Sequence, residues 1–106
     1  MGIPEALLAA GLPPLARAAW VEVSLDAIAN NVRSLKARLP EGGHLDAVLK
    51  SNAYGLGAVQ IARASIAAGA RAVLVATVDE AIQLRRAGLS APLRVLWRVP
   101  SEYLRE

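Results

Sequence analysis

Two residues in the stretch AVLKSNAYGLG, residues 47–57, have the type and spacing to do covalent chemistry. Lys50 closes an apolar run and opens a polar, glycine-punctuated turn. A lysine amine beside apolar surface is desolvated, which disfavours the ammonium form and leaves a better nucleophile. An imine-forming lysine needs that property. A lysine that lays its stem on a sheet and extends its head into water occupies the same position, and sequence position alone leaves both readings open.

Tyr54 lies four residues on in the same turn, beside Gly55 and Gly57, just before a helix. Glycines let a backbone approach a ligand closely, and helix amino termini attract anions. A phenol can donate a hydrogen bond to a phosphate oxygen. The alternative is a tyrosine half-packed on the rim of the fold. Together, the lysine and the tyrosine suggest a phosphate-bearing aldehyde cofactor, held covalently at one end and through its anion at the other.

The elements around this turn alternate regularly. AWVEV, residues 19–23, alternates as a short strand. Ser24 can cap a helix whose apolar positions Leu25, Ile28, Val32, Leu35 and Leu39 step by three and four, ending at Pro40, Gly42 and Gly43. LDAVL, 45–49, is a strand that delivers Lys50. A helix over about 58–68 should face inward through Val59, Ala62 and Ile66, with Gly69 at its left-handed end. AVLVA, 72–76, has the branched aliphatic character of a strand buried on both faces. Thr77 and Glu80 make a T-x-x-E capping box for a helix facing inward through Ala81, Leu84 and Ala87, which Gly88 stops. LRVLW, 93–97, is a further strand, and PSEYLRE begins another helix.

Strands alternating with helices of this length predict βαβ units and a parallel sheet. The fold class is α/β. The strand spacing suits a barrel or a doubly wound sheet. A (β/α)8 barrel takes ~250 residues and three consecutive parallel strands leave an open edge, so 106 residues are expected to form the opening part of a larger α/β protein, with residues 1–19 as a loosely held leader. In parallel α/β proteins chemistry gathers at the carboxyl ends of the strands, where Lys50 sits.

Composition excludes several classes. Net charge is +3 and the pI near 10, yet the basic residues are dispersed and aromatics are only 4%. That pattern does not predict nucleic-acid binding. Cysteine is absent and His44 is the one histidine, so neither thiolates nor paired imidazoles can build a metal site. No metal is expected. The amino-terminal segment carries Glu5 and Pro13-Pro14 and lacks the basic start of a signal peptide. No run approaches the ~18 apolar residues of a membrane span. A cytoplasmic chain with no membrane partner is expected. No G-x-x-x-x-G-K-[ST] pattern is present, and GLGAVQ places Gln60 where a dinucleotide fingerprint needs Gly or Ala.

WVEVSLDAIANNVRSLKARLP, AVLKSNAYGLGAVQIARASIAAGA and LVATVDEAIQLRRAGLSAPLRVL together resemble the amino-terminal region of bacterial alanine racemases. The likeness runs from Trp20 to about Leu96. The residues after the lysine set it apart from barrel-fold amino-acid decarboxylases and small pyridoxal-phosphate homeostasis proteins. The resemblance implies a (β/α)8 TIM barrel carrying pyridoxal 5′-phosphate, followed by a β-rich domain, in an enzyme that interconverts L- and D-alanine for peptidoglycan synthesis. It implies that Lys50 bonds the cofactor and acts as one of two catalytic bases, and that Tyr54 contacts the phosphate. It also implies alanine as small-molecule substrate, a homodimer for the full-length form, and a first barrel strand containing Ala47–Leu49, preceded by a strand at Trp20–Val23.

Two departures stand out. The family commonly reads Y-G-H-G where Leu56 replaces the histidine. The opposite-face tyrosine base, the arginine against the pyridine nitrogen and most phosphate-binding residues would lie beyond residue 106, which reads as a fragment or truncated product. A serine or broad-specificity racemase, an inactive remnant and a basic interaction module are the other readings.

Overall fold

The computed structural model describes residues 2–104. A short helix, α1 (Ile3–Ala9), has no buried residue. Helix α2 (Leu25–Lys36) begins where Ser24 Oγ accepts a hydrogen bond from Ala27 N at 3.1 Å. Then come β1 (Asp46–Val48), a five-residue turn of helix α3 (Lys50–Tyr54), α4 (Ala58–Ala67), β2 (Ala72–Val75), α5 (Val78–Arg86) and β3 (Leu93–Val95). A single 3-10 turn, Ser101–Tyr103, comes last. The further helix expected over PSEYLRE is therefore one short turn within the described residues, and its last two residues lie outside them.

The three strands form one parallel sheet in the order β1-β2-β3. Ala47 lies opposite Val73, and Val73 opposite Leu93. Alternation along a strand puts these residues on one face, where they meet α4 and α5. The core there is Leu49, Ile61, Ala62, Val73, Val75 and Leu84, with Ala58, Ala81 and Leu89. Leu84, Val73 and Val75 are fully buried, and each contributes about 1.5–3 kcal/mol by leaving water.

Three other expectations change in the folded chain. Residues 20–23 form no strand, and Trp20, Val21 and Val23 are exposed, because no ladder partner lies alongside them among the described residues. AVLVA is not buried evenly. Leu74 is half-buried, because it shares the second sheet face with Val48 and Arg94, both exposed. Helix α4 buries Ala58, Ile61, Ala62 and Ser65, so Val59 and Ile66 flank that stripe instead of centring it. Helix α2 also packs against α4, with Ile28, Val32 and Leu35 near Ile61 and Ser65, so the buried stripe of α4 faces both α2 and the sheet.

At the amino end of the sheet, Arg71 donates to Asp46 through Nε (3.1 Å) and Nη2 (2.7 Å), and Arg94 Nη1 lies 3.8 Å from the same carboxylate. The hydrogen bonds from Arg71 hold the Asp46 carboxyl below its usual range against some desolvation, and the charges of Arg71, Arg94 and His44 add to that. This ion pair lies at the end of the sheet opposite Lys50.

Candidate functional site at the carboxyl end of β1

Lys50 emerges one residue after Leu49, whose N–H still bonds Leu74 O of β2 at 2.8 Å. The sheet therefore holds the backbone up to the lysine. Lys50 is half-buried. Beyond it the chain makes a helical turn of reversed hand. Ser51, Asn52, Ala53 and Tyr54 have φ of 56°, 55°, 54° and 53°. For L-residues that region costs roughly 1–2 kcal/mol each, so four in succession persist only if their surroundings hold them. Strain of this kind concentrates at functional sites.

The bonds that hold the turn can be traced. Ala53 N donates to Leu49 O at 3.0 Å, and Gly57 N to Asn52 O at 3.0 Å. Ala53 is buried in the core cluster. At the exit, Asn52 Oδ1 accepts from Ala58 N at 2.8 Å, which ties the turn to the start of α4. At the entrance, Ser51 N donates to Glu80 Oε2 at 2.7 Å. Gly55 and Gly57 have φ of 85° and 98°, and a Cβ at either would meet nothing within 4 Å. The space beside these two glycines is unfilled among the described residues.

Both predicted site residues lie on this turn. Tyr54 is 78% exposed, so packing among the described residues does not account for its phenol. Lys36, the other lysine, lies elsewhere. Its Nζ would sit 2.8 Å from a Cβ on Gly69, at the far end of α4.

Sequence reasoning missed Asn52 and half of Glu80. The T-x-x-E spacing marks Glu80 as a capping residue, and its Oε1 does accept from Thr77 N (3.0 Å), Thr77 Oγ1 (3.1 Å) and Ala76 N (3.0 Å). Nothing local announces the bond from Ser51. Desolvation pushes the Glu80 carboxyl up, but the N–H groups of Ser51, Thr77 and Ala76 and the Thr77 hydroxyl outweigh it and hold the pKa below the ordinary value. Asparagine tolerates left-handed backbone better than most residues, which is the one signal that could have found Asn52.

Among the described residues, no group of three or more His, Cys, Asp or Glu could hold a metal ion, and no helix is long and apolar enough to cross a membrane.

Residues 23–106 match the family model described as alanine racemase, N-terminal domain. Alanine racemase 1 of Oceanobacillus iheyensis is 53% identical over 90 residues, which are 85% of this chain and 24% of that protein. The alanine racemase of Geobacillus stearothermophilus is 51% identical over 80 residues, 76% of this chain and 21% of that protein. The crystal structure of alanine racemase from Bacillus anthracis with bound L-Ala-P superposes with a TM-score of 0.78 at 48% identity, over 83% of this chain and 23% of that one. The chain thus spans about a quarter of the length of the relatives it matches. Its parallel strands and alternating helices are the amino-terminal portion of the alanine racemase barrel. On sequence and fold alike, this chain belongs to the alanine racemase N-terminal domain family.

Proposed function

We propose that this chain carries the cofactor-holding lysine segment of a pyridoxal 5′-phosphate-dependent alanine racemase. The observation that carries the reading is Lys50 at the carboxyl end of β1, opening a reversed-hand turn that also bears Tyr54. Similarity to alanine racemases at about half identity across most of the chain supports it.

The residues present fit that cofactor. A primary amine suits its aldehyde, a phenol in the same turn suits its phosphate, and glycines with open space beside them leave room for it. When bound, the cofactor supplies an electron sink for the pair left when Cα loses its proton. Lys50 would hold it through the amine nitrogen. Its free amine would be placed to take or return a proton at the substrate Cα from one face. Tyr54 would donate its O–H to a phosphate oxygen and so fix the other end. The interconversion of L- and D-alanine, and a homodimeric cytoplasmic enzyme, belong to the same reading.

Borohydride reduction in the presence of pyridoxal phosphate, with peptide mapping of the product, tests it. Cofactor should be fixed on Lys50 and lost in Lys50→Ala. Fixation on Lys36, or on neither lysine, would refute the assignment.

A further inference from the structure

We infer that Glu80 is a positioning residue for Lys50, beyond its part in starting α5; the inference rests on the cofactor reading above. A capping box needs one carboxylate oxygen, and here Oε1 serves Thr77 and Ala76. The other oxygen, Oε2, accepts from Ser51 N at 2.7 Å, from a residue 29 positions earlier. One carboxylate therefore joins the carboxyl end of β2, the first turn of α5 and the residue immediately after Lys50.

That bond falls where the chain most needs it. Leu49 is still laddered to β2, and Ser51 is already in the left-handed region with φ 56°. Lys50 is the joint between an extended segment and a reversed-hand turn. Neither serine nor alanine favours that hand, so an acceptor from another element must fix where the turn starts. Glu80 supplies it at the entrance, and Asn52 anchors the exit on α4. With both ends held, the direction in which Lys50 leaves the sheet is set before any ligand arrives.

Two variants separate this role from capping. Glu80→Gln keeps a carbonyl oxygen for Thr77 and Ala76 but turns an amide N–H₂ toward Ser51 N, where two donors meet. Thr77→Ala removes a hydroxyl from the cap and leaves Ser51 bonded. Three readouts apply to each purified chain: thermal unfolding, the affinity for pyridoxal phosphate measured by its bound-state absorbance, and amide hydrogen exchange resolved over residues 51–57. Glu80→Gln should weaken cofactor attachment roughly tenfold or more and speed exchange through the turn. Thr77→Ala, even with a comparable fall in Tm, should leave both within about twofold. The inference is overturned if the two variants change attachment and exchange in proportion to their loss of stability, or if Glu80→Gln leaves the turn protected. If the unsubstituted chain takes no cofactor at Lys50, the cofactor reading fails by itself, and the exchange of residues 51–57 still decides whether Glu80 holds the turn.

Discussion

Asn52 Oδ1 accepts a hydrogen bond from Ala58 N at 2.8 Å, so the side chain of a left-handed residue caps the next helix. Asn52→Ala removes the acceptor and also a residue type that tolerates positive φ. It should cost about 0.5–2 kcal/mol in urea unfolding, the range for loss of a helix cap. Asn52→Asp keeps an acceptor in place and should cost at most a few tenths of that. Equal losses in the two variants would mean that the bond to Ala58 does not hold the turn.

Tyr54 presents an exposed phenol beside the glycines of the turn. Tyr54→Phe should weaken retention of pyridoxal phosphate roughly tenfold, because a hydrogen bond to a charged group contributes about 1.5–3 kcal/mol. The melting temperature should not move, since stability among the described residues does not depend on that hydroxyl. Unchanged affinity measured by equilibrium dialysis would assign the tyrosine to packing in a larger assembly.

Asp46 and Glu80 both have carboxyl pKa values held below the ordinary range, by the hydrogen bonds of Arg71 and by backbone N–H groups of Ser51, Thr77 and Ala76 respectively. A depressed folded-state pKa contributes stability that is fully present above the unfolded value of about 4 and is lost as pH falls through the lower folded value. Thermal unfolding measured from pH 7 downward should therefore show a loss of Tm below about pH 4. In Glu80→Gln the loss should be shallower, so that the gap to the unsubstituted chain narrows with acidity. A gap that stays constant down to low pH would show that Glu80 does not titrate with folding.

Residues 1–106 alone should not racemise alanine, even with cofactor supplied. Among the described residues the sheet of three parallel strands has two open edges, and its second face carries exposed Val48 and Leu96, each 53% accessible, with Trp97 beside them at 76%. Open edges and exposed apolar surface favour association over catalysis. A coupled assay for D-alanine, with Lys50→Ala as control, checks this. Lysine-dependent turnover above that of free pyridoxal phosphate would show a more complete site.

How much of this was legible in the residues depends on the reach of each interaction. The Ser24 cap, the Thr77–Glu80 box and the strand–helix alternation act over a few neighbours, and spacing alone reports them. So does the place of Lys50 at the end of an apolar run, because the run must be buried and its end must meet a loop. The reversed hand of Ser51–Tyr54 could not be read, since serine, alanine and tyrosine all disfavour positive φ. The second oxygen of Glu80 was equally hidden: its partner lies 29 residues away and comes within reach only when β1 and β2 pair. The period of α4 was plain, but which stripe faces inward depended on how α2 and the sheet press on it. Residues 20–23 have the alternation of a strand, yet a strand exists only with a partner to complete its backbone hydrogen bonds. Local chemistry determined the elements and the lysine; long-range packing decided the hand of the turn that presents it.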